Sequence, residues 1–99
     1  MIEKKDGELQ PGWTGEKTYH AWQAYTPWPG LFYTFRDTRV TLLEIDIVPS
    51  ENAHIGNWII QDNFPAIIVD GAIVIIKKIH PAGKKPMSGE EFVRGFMRD

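Results

Sequence analysis

The strongest constraint on the fold is a two-residue break between two apolar runs in the second half of the chain. Asp70-Gly71 separates Ala66–Val69 from Ala72–Ile79, and both runs are rich in Ile and Val. An Asp-Gly pair between such runs predicts a hairpin with a type I′ turn. Because the apolar residues are nearly continuous, we expect both faces of this hairpin to be covered by other parts of the chain.

Three further runs have the β-branched and aromatic content of strands: Leu31–Phe35, Val40–Val48 and Ile55–Ile60, the last ending at an Asp62-Asn63 turn. The second half of Val40–Val48 alternates. This pattern predicts that one face carries Leu43, Ile45 and Ile47 and that the other carries Glu44 and Asp46. Five short strands with tight turns in 99 residues predict one small barrel or sandwich.

A helix is predicted on each side of these strands. Thr14 is the expected N-cap of a helix from Gly15 to Tyr25, with a stripe formed by Tyr19, Ala21, Trp22 and Tyr25. Pro27-Trp28-Pro29-Gly30 then forms a rigid turn, because both prolines fix φ.

The closing helix is predicted from a capping box. Ser88 precedes Glu91 by three residues, so its hydroxyl is expected to accept from the Glu91 amide while the carboxylate reaches back to the Ser88 amide. The helix is expected to span Gly89–Met97 and to bury Phe92, Val93 and Phe96.

Composition excludes several classes of protein. The chain has no cysteine, which excludes a disulfide scaffold, a thiolate zinc site and a cysteine nucleophile. No apolar run approaches the roughly 20 residues that cross a bilayer. The first residues do not form a signal peptide, so we expect a cytoplasmic protein.

The net charge of −2 conceals an uneven distribution along the chain. Residues 1–76 carry five basic and ten acidic side chains, a net charge of −5, whereas residues 77–99 carry six basic and three acidic ones, a net charge of +3. The overall charge argues against a general polyanion binder, while the last quarter of the chain suits one.

Catalytic and metal-binding patterns are not found. The three histidines, His20, His54 and His80, are far apart and lack ligand spacing, so no metal site is expected. Gly83-Lys84-Lys85 lacks the first glycine and the Ser/Thr of a phosphate-binding loop. Glu44 and Asp46 are interpreted as charges on the solvent face of a strand. We therefore expect no cofactor and no catalysis by the isolated chain.

Two segments carry a family resemblance. His80–Gly95 resembles the closing motif of the C-terminal domain of methionyl-tRNA formyltransferases, in which a Gln-Pro-Ala-Gly-Lys-Lys-type turn precedes a Phe-containing helix. Ala24–Gly30 is similar to the opening motif of that domain, where a helix ends in Asn-Pro-Trp-Pro-Gly, and Gly12-Trp13-Thr14 is similar to its helix entry. The resemblance spans about Gly12 to Gly95 in the same order.

The resemblance implies a mainly β fold: a small open β-barrel, related to the OB-fold, with an N-terminal helix and a C-terminal helix. Residues 13–99 are assigned to this domain, and residues 1–12 are interpreted as a polar lead-in, because Gly7, Pro11 and Gly12 break any pattern there. The family's barrel follows a catalytic domain and helps to hold initiator tRNA. The implied partners are therefore tRNA and a formyltransferase catalytic domain, and none of the catalytic motifs has a counterpart here.

The expected nucleic-acid-binding residues are of two kinds. Lys84, Lys85 and Arg94 match the family motif, whereas Lys77, Lys78 and Arg98 are candidates by charge alone. The chain departs from the family pattern at Gln23, where an arginine is usual, at Thr26 in place of Asn, and at His80 in place of Gln. The loss of a basic residue weakens the expected phosphate contact, because affinity for polyanions scales with the phosphates neutralised.

Two alternatives stay open. In the first alternative, the chain is a protein-interaction or oligomerisation module related to the C-terminal domain of nucleotide-sugar formyltransferases. The acidic first three-quarters of the chain favour this alternative. A small-molecule site in the mouth of the barrel is the other alternative, lined by Trp22, Trp28 or Trp58, although aromatic residues in so small a domain more often belong to the core.

Overall fold

The computed structural model of this protein describes residues 7–25, 30–51 and 54–97. In this part of the chain, a helix precedes six strands, and a short helix with a π-helical turn follows. The elements are α1 (Gly15–Tyr25), β1 (Phe32–Phe35), β2 (Thr38–Pro49), β3 (Trp58–Gln61), β4 (Phe64–Val69), β5 (Ala72–Pro81), β6 (Met87–Ser88), α2 (Gly89–Phe92) and the π-helical turn (Val93–Met97). The expected mainly β architecture with a helix at each end is confirmed.

One antiparallel sheet contains all six strands. Its order is β1-β2-β5-β4-β3, and β6 pairs with the end of β5. The long central strands β2 and β5 pair from Val40 opposite Pro81 to Pro49 opposite Ala72. At a rise of about 3.3 Å per residue, the two ends of β5 lie about 30 Å apart. We call the end at Pro81 the closing end and the end at Ala72 the far end.

The outer strands β1 and β3 meet across a seam that side chains bridge. The Tyr33 hydroxyl in β1 donates to the Gly56 carbonyl at 3.1 Å, and the Trp58 indole in β3 donates to the Thr34 carbonyl at 3.0 Å. The rings of Trp58 and Phe35 meet edge to face, with centroids 5.2 Å apart. The sheet is therefore curled into the expected open barrel, and side chains instead of a backbone ladder hold its two edges together.

Apolar side chains are buried on both faces of the β4–β5 hairpin, as the continuous apolar runs predicted. Val74 and Ile76 belong to the main core, which both helices help to cover, whereas Ile73 and Ile75 belong to a second cluster with Ala66 and Ile68. Successive residues of a strand point to opposite faces, so this hairpin contributes to both clusters.

The turn chemistry differs from the prediction at Asp70-Gly71. A type I′ turn needs positive φ at both central residues, which Arg36-Asp37 (47° and 67°) and Asp62-Asn63 (53° and 70°) have. At Asp70-Gly71 the hairpin is confirmed, but only the glycine has a positive φ, 76°, so the predicted turn type is wrong. The reason is tertiary: the Asp70 amide donates to the Trp13 carbonyl at 3.1 Å, which ties this residue to the start of α1.

A kink in β2 and β5 overturns the predicted position of Leu43. The register shifts on both sides of Glu44, which lies opposite Lys78. Leu42 and Ile45 are both buried although they are three residues apart, and Leu43 is 36% exposed. Period-two alternation assumes an unbroken ladder, so it fails at this point. The other face assignments hold: Ile45 and Ile47 pack in the core, and Glu44 and Asp46 are exposed.

Helix α1 has the predicted bounds and N-cap. The Thr14 hydroxyl accepts from the Lys17 amide at 3.1 Å. Gly15 lies so close to the far end of the sheet that an added Cβ would stand 2.7 Å from the Ala72 Cβ and 2.8 Å from Ile47. Only a glycine fits at this contact, which fixes the start of the helix against β2 and β5.

The buried stripe of α1 differs from the prediction at Tyr19, while the other three predicted residues pack against the core. Thr18 is fully buried, and its hydroxyl donates to the Thr14 carbonyl at 2.9 Å, whereas Tyr19 is 41% exposed. Trp22 packs against the core and donates its indole N–H to the Leu42 carbonyl at 3.0 Å. The small Thr18 allows the closer approach to the sheet, so the tyrosine is left at the surface.

The closing helix begins at the predicted cap but changes its geometry. The Ser88 hydroxyl accepts from the Glu91 amide at 3.1 Å and donates to the Glu91 carboxylate at 3.3 Å. The helical segment spans the predicted Gly89–Met97, but only Gly89–Phe92 is α-helical, and residues Val93–Met97 form a π-helical turn. The Phe92 and Phe96 rings stack with centroids 4.8 Å apart, and Phe92 and Val93 are buried, as predicted.

Strand β3 begins at Trp58, three residues later than the predicted Ile55. Gly56 has a φ of 94°, which interrupts extended backbone. Its amide and the Asn57 carbonyl bond instead to the backbone of Ile68. The segment before β3 is therefore a turn that is attached to β4.

The segment before α1 contributes to the core. Leu9 is 1% exposed, and its amide donates to the Phe32 carbonyl at 2.8 Å. Glu8 forms an isolated parallel bridge with Phe32. This segment therefore lies beside β1 and extends the sheet at that edge. The domain boundary at residue 12 stays a prediction.

Replacing Tyr33 with phenylalanine is expected to lower the free energy of unfolding by about 1 kcal/mol near neutral pH, the usual net contribution of one hydrogen bond. Burial raises the pKa of the Tyr33 hydroxyl above 10.0, and the Glu8 carboxylate raises it further. This contribution is complete below pH 10.0 and is lost as the pH rises through the folded-state pKa. Urea unfolding at about pH 8 and about pH 11 measures it.

Comparing the Tyr33→Phe variant with the parent chain at both pH values separates the effect of Tyr33 from that of the other groups that titrate in alkali. Its free energy of unfolding should fall less between the two pH values than that of the parent chain. Equal losses in the two proteins would show that the seam hydrogen bond does not contribute to the alkaline transition.

Candidate functional site

A tight turn at the closing end is fixed by hydrogen bonds on both sides. The Lys84 amide donates to the Pro81 carbonyl at 3.1 Å, and the Ala82 amide donates to the Arg39 carbonyl in β2 at 2.8 Å. His80 Nε2 lies 2.8 Å from the Lys84 carbonyl. Because a carbonyl only accepts, this nitrogen carries a proton. The turn is therefore held to the sheet, and its backbone has one defined path.

Lys84 and Lys85 are displayed by this turn. Gly83 has a φ of 80°, a conformation that suits glycine and lets the chain reverse directly before the two lysines. Both lysines are exposed, and neither makes an ion pair within residues 7–25, 30–51 and 54–97. Two adjacent ammonium groups are therefore available to an anion.

Two arginines that the sequence analysis did not select lie at the same end. The Arg39 guanidinium is centred 4.2 Å from the Phe32 ring, and the Arg39 carbonyl receives the Ala82 amide. Arg36, in the β1–β2 turn, donates to the Phe96 carbonyl at 3.2 Å. Both side chains are exposed. We call the set Arg36, Arg39, Lys84 and Lys85 the basic end.

Charge counting along the chain concealed the two arginines because they lie in the segment with a net charge of −5. A local signal does exist. Arg36-Asp37 is a two-residue hairpin turn, and its recognition would have placed Arg39 at the start of β2. The contact with Ala82 joins residues more than forty positions apart, which no local pattern predicts.

Lys77 and Lys78, the candidates in β5, already have partners in the fold. The Lys77 ammonium lies 4.1 Å from the centre of the Phe64 ring, a cation–π contact. Lys78 pairs with Glu44 across the kink at 3.8 Å, and both side chains are more than half exposed. An exposed pair of this kind contributes little to stability, so Lys78 can exchange its partner.

Arg94 is exposed in the π-helical turn, two residues before the Phe96 carbonyl that receives Arg36. It therefore lies on the segment that adjoins the basic end. Arg98, the remaining candidate, lies outside the described residues.

A cleft of about 360 Å³ lies between the β2–β5 kink and the start of α2. Its floor combines apolar and polar side chains, namely Leu43, Lys78, Pro86, Met87, Ser88 and Glu91. Leu43 reaches this surface only because the kink turns it away from the core. Lys85 directly precedes Pro86, so the cleft borders the basic end.

Other site types find no support in the described part of the chain. No group of three or more His, Asp or Glu lies close enough there to hold a metal ion. Trp22 and Trp58 pack against the core and donate to backbone carbonyls, which agrees with the core interpretation. The turn Pro27-Trp28-Pro29 lies outside the described residues.

None of the helices in the described ranges is long and apolar enough to span a membrane. The cytoplasmic location stays a prediction.

Sequence comparison finds relatives among methionyl-tRNA formyltransferases. The enzyme of Natranaerobius thermophilus is 33% identical over 101 residues, which cover 96% of this chain and 32% of that protein. The enzyme of Nitratidesulfovibrio vulgaris is 32% identical over 112 residues, which cover 97% of this chain and 32% of that protein. The chain thus spans about a third of the length of these curated relatives.

Structure comparison finds the same fold in a solved protein. HypX from Aquifex aeolicus, in complex with tetrahydrofolic acid, superposes with a TM-score of 0.74 at 17% sequence identity. The match covers 98% of this chain and 18% of that one. Family comparison matches residues 1–97 to "Formyl transferase, C-terminal domain". With the motifs at both ends of the barrel, this match over nearly the whole length shows that the chain belongs to the formyl transferase C-terminal domain family.

Proposed function

We propose that this chain docks tRNA for a formyltransferase, with the basic end as the contact to the phosphate backbone. The supporting comparison is that the relatives at 33% and 32% identity are named methionyl-tRNA formyltransferases. The implied substrate is initiator tRNA, whose methionyl group is formylated. In this proposal the formylation reaction takes place on a formyltransferase catalytic domain, which is the second proposed partner.

The observation that carries this proposal is the geometry of the basic end. Arg36 lies in the β1–β2 turn and Arg39 at the start of β2, while Lys84 and Lys85 lie in the closing turn, whose Ala82 amide donates to the Arg39 carbonyl. The Arg39 guanidinium is also held against the Phe32 ring. Cations on a fixed backbone suit the regular spacing of phosphates, and such contacts position a nucleic acid without reading its sequence.

The overall charge of −2 is compatible with this role because the contact is local. The Glu44 carboxylate at the kink pairs with the Lys78 ammonium, and Asp37 is the acidic residue of the β1–β2 turn itself. Arg94 lies on the adjoining segment and extends the positive surface toward the C-terminus. A small positive patch on an acidic domain favours one docked orientation over diffuse binding.

Replacing both Lys84 and Lys85 with glutamate is expected to weaken binding to initiator tRNA by at least about tenfold at roughly 0.1 M salt. Each phosphate contact contributes about one unit to the slope of log K against log salt, so the slope should fall by about two. Fluorescence anisotropy with labelled tRNA at several salt concentrations measures both quantities.

The matched control is Lys17→Glu, compared with Lys84→Glu alone, since the two variants change the net charge equally. Lys17 is exposed on α1, whose first residue packs against Ala72 at the far end of β5. The Lys17→Glu variant should therefore leave the affinity for tRNA nearly unchanged. An equal effect of the two single variants would mean that only net charge matters, and unchanged binding by the double variant would reject docking at the basic end.

A protein-interaction role is the second candidate, and exposed apolar side chains favour it. Ile60 in the edge strand β3 is 40% exposed, and Ile55, shortly before that strand, is 45% exposed. Light scattering that shows a stable dimer, together with no affinity for tRNA, would support this function over tRNA docking.

A further inference from the structure

The cleft beside the basic end contains an exposed apolar residue that the proposed phosphate contacts do not use. Leu43 would be buried if β2 alternated without interruption, and the double register shift brings it to the surface instead. It lies with Pro86 and Met87 along one cleft of about 360 Å³. Pockets of this size accommodate small organic groups.

The apolar part of the cleft suits a flat ring. Leu43, Pro86 and Met87 present aliphatic carbon and a thioether sulfur, and sulfur–aromatic contacts are favourable. Met87 is partly buried and is held in β6 by its pairing with Ile79. This side of the cleft is therefore fixed by the sheet.

The Glu91 carboxylate makes one part of the cleft suited to hydrogen-bond donors. The Glu91 carboxylate accepts the Ser88 hydroxyl at 3.3 Å and has further lone pairs open to the cleft. A carboxylate only accepts, so it pairs with N–H groups and not with an anion. Lys78 also lines the cleft, and its ammonium lies 3.8 Å from the Glu44 carboxylate in an exposed pair.

The cleft is continuous with the basic end. Lys85 and Pro86 are consecutive, so their Cα atoms are about 3.8 Å apart. β6 follows at once and pairs Ser88 with Lys78. A nucleotide whose phosphate meets Lys85 therefore has its base within reach of the cleft.

We propose that the cleft receives one unpaired base of the bound RNA, whose flanking phosphates lie on Lys78 and Lys85. The base packs on Leu43 and Met87, and its N–H groups donate to the Glu91 carboxylate. Guanine offers a ring N–H beside an exocyclic amino group and matches a carboxylate with two hydrogen bonds, whereas uracil offers a single N–H. This site rests on the proposed function and adds base selectivity to it.

The test compares two single-stranded RNAs of about twelve nucleotides, a length within the range that small barrels cover. One is a uridine tract, and the other is the same tract with one central guanosine. The guanosine-containing tract should bind about tenfold tighter, as expected for one matched pair of hydrogen bonds. Fluorescence anisotropy with the full chain measures both, and a duplex of equal length serves as the phosphate-only reference.

Two variants test the apolar part and the polar part of the cleft separately. Leu43→Ser should weaken binding of both single strands severalfold without affecting the duplex, because it removes apolar contact to the base. Glu91→Gln keeps an acceptor for the Ser88 hydroxyl and should abolish the preference for guanosine. Ile60→Ser is the matched control, since Ile60 is 40% exposed on β3 and does not line the cleft.

The outcomes distinguish phosphate docking at the basic end from binding of a base in the cleft. Equal affinity for the duplex and both single strands, unchanged by Leu43→Ser, would leave phosphate docking intact and reject the base site. No RNA binding at low salt would reject tRNA docking and the base site together. If Leu43→Ser weakens only the association with a formyltransferase catalytic domain, the cleft is a protein contact and the base site is wrong.

Discussion

Replacing Gly89 with alanine is expected to destabilise the protein by about 3 kcal/mol or more, a large part of the roughly 5–15 kcal/mol that stabilises a domain. A Cβ at this position would overlap the Ile76 carbonyl oxygen and stand 2.8 Å from both Phe64 and Pro65. A backbone oxygen in the central sheet cannot rotate away, so α2 would have to move. Thermal unfolding should shift down by about 12 °C or more.

The matched control for this prediction is Gly95→Ala, six residues further along the same helical segment. An added Cβ at Gly95 meets nothing within 4 Å, and its φ is not positive. The variant should be neutral or stabilise by about 0.5–1 kcal/mol, because alanine loses less backbone entropy than glycine on folding. Urea unfolding of both variants measures the contrast. Similar stabilities for the two variants would mean that α2 is free to shift and that the Gly89 contact does not fix it.

Replacing Phe92 with alanine is expected to lower the free energy of unfolding by about 3–5 kcal/mol, the range for deletion of a buried phenyl ring. Phe92 is 1% exposed, and its ring centroid lies 5.2 Å from that of Phe35, 6.2 Å from that of Trp58 and 4.8 Å from that of Phe96. The lost ring would leave a cavity beneath the seam between β1 and β3. Chemical denaturation, followed by tryptophan fluorescence, measures the loss.

Phe92→Leu is the conservative control, since it preserves most of the apolar volume and should cost less than half as much. Phe96→Ala should also cost less, because Phe96 is only partly buried. If Phe92→Ala costs about 1 kcal/mol or less, the aromatic cluster is not the support of the seam. The side-chain hydrogen bonds of Tyr33 and Trp58 would then be what holds β1 and β3 together at the seam.

The sequence predicted correctly those structural elements that depend on interactions between residues close together in the chain. Thr14 and Ser88 cap their helices because a hydroxyl three residues before an amide accepts from it wherever the rest of the chain lies. The Asp70-Gly71 hairpin formed because two β-prone runs flank a residue pair that permits a tight reversal. Its turn type was wrong because the contact with Trp13, which is distant in sequence, holds the Asp70 amide.

The candidate site was predicted in part. Lys84 and Lys85 were selected from the motif, and the structure displays both on a turn where His80 Nε2 lies 2.8 Å from the Lys84 carbonyl. Arg36 and Arg39 were missed because a count of charge along the chain contains no information on which turns meet at one end of a sheet. Lys77 was selected by charge alone, and the structure places it against the Phe64 ring.

Besides the family, whose motifs lie far apart in the chain, the sequence by itself determined the helix caps, the Asp70-Gly71 hairpin and the two lysines of the closing turn. These depend on residues within a few positions of one another, where geometry follows from residue type. Only the tertiary structure decided the kink that exposes Leu43 and the meeting of Arg39 with Ala82. Both depend on the register between β2 and β5, strands about thirty residues apart, and that register is set by the packing of the whole core.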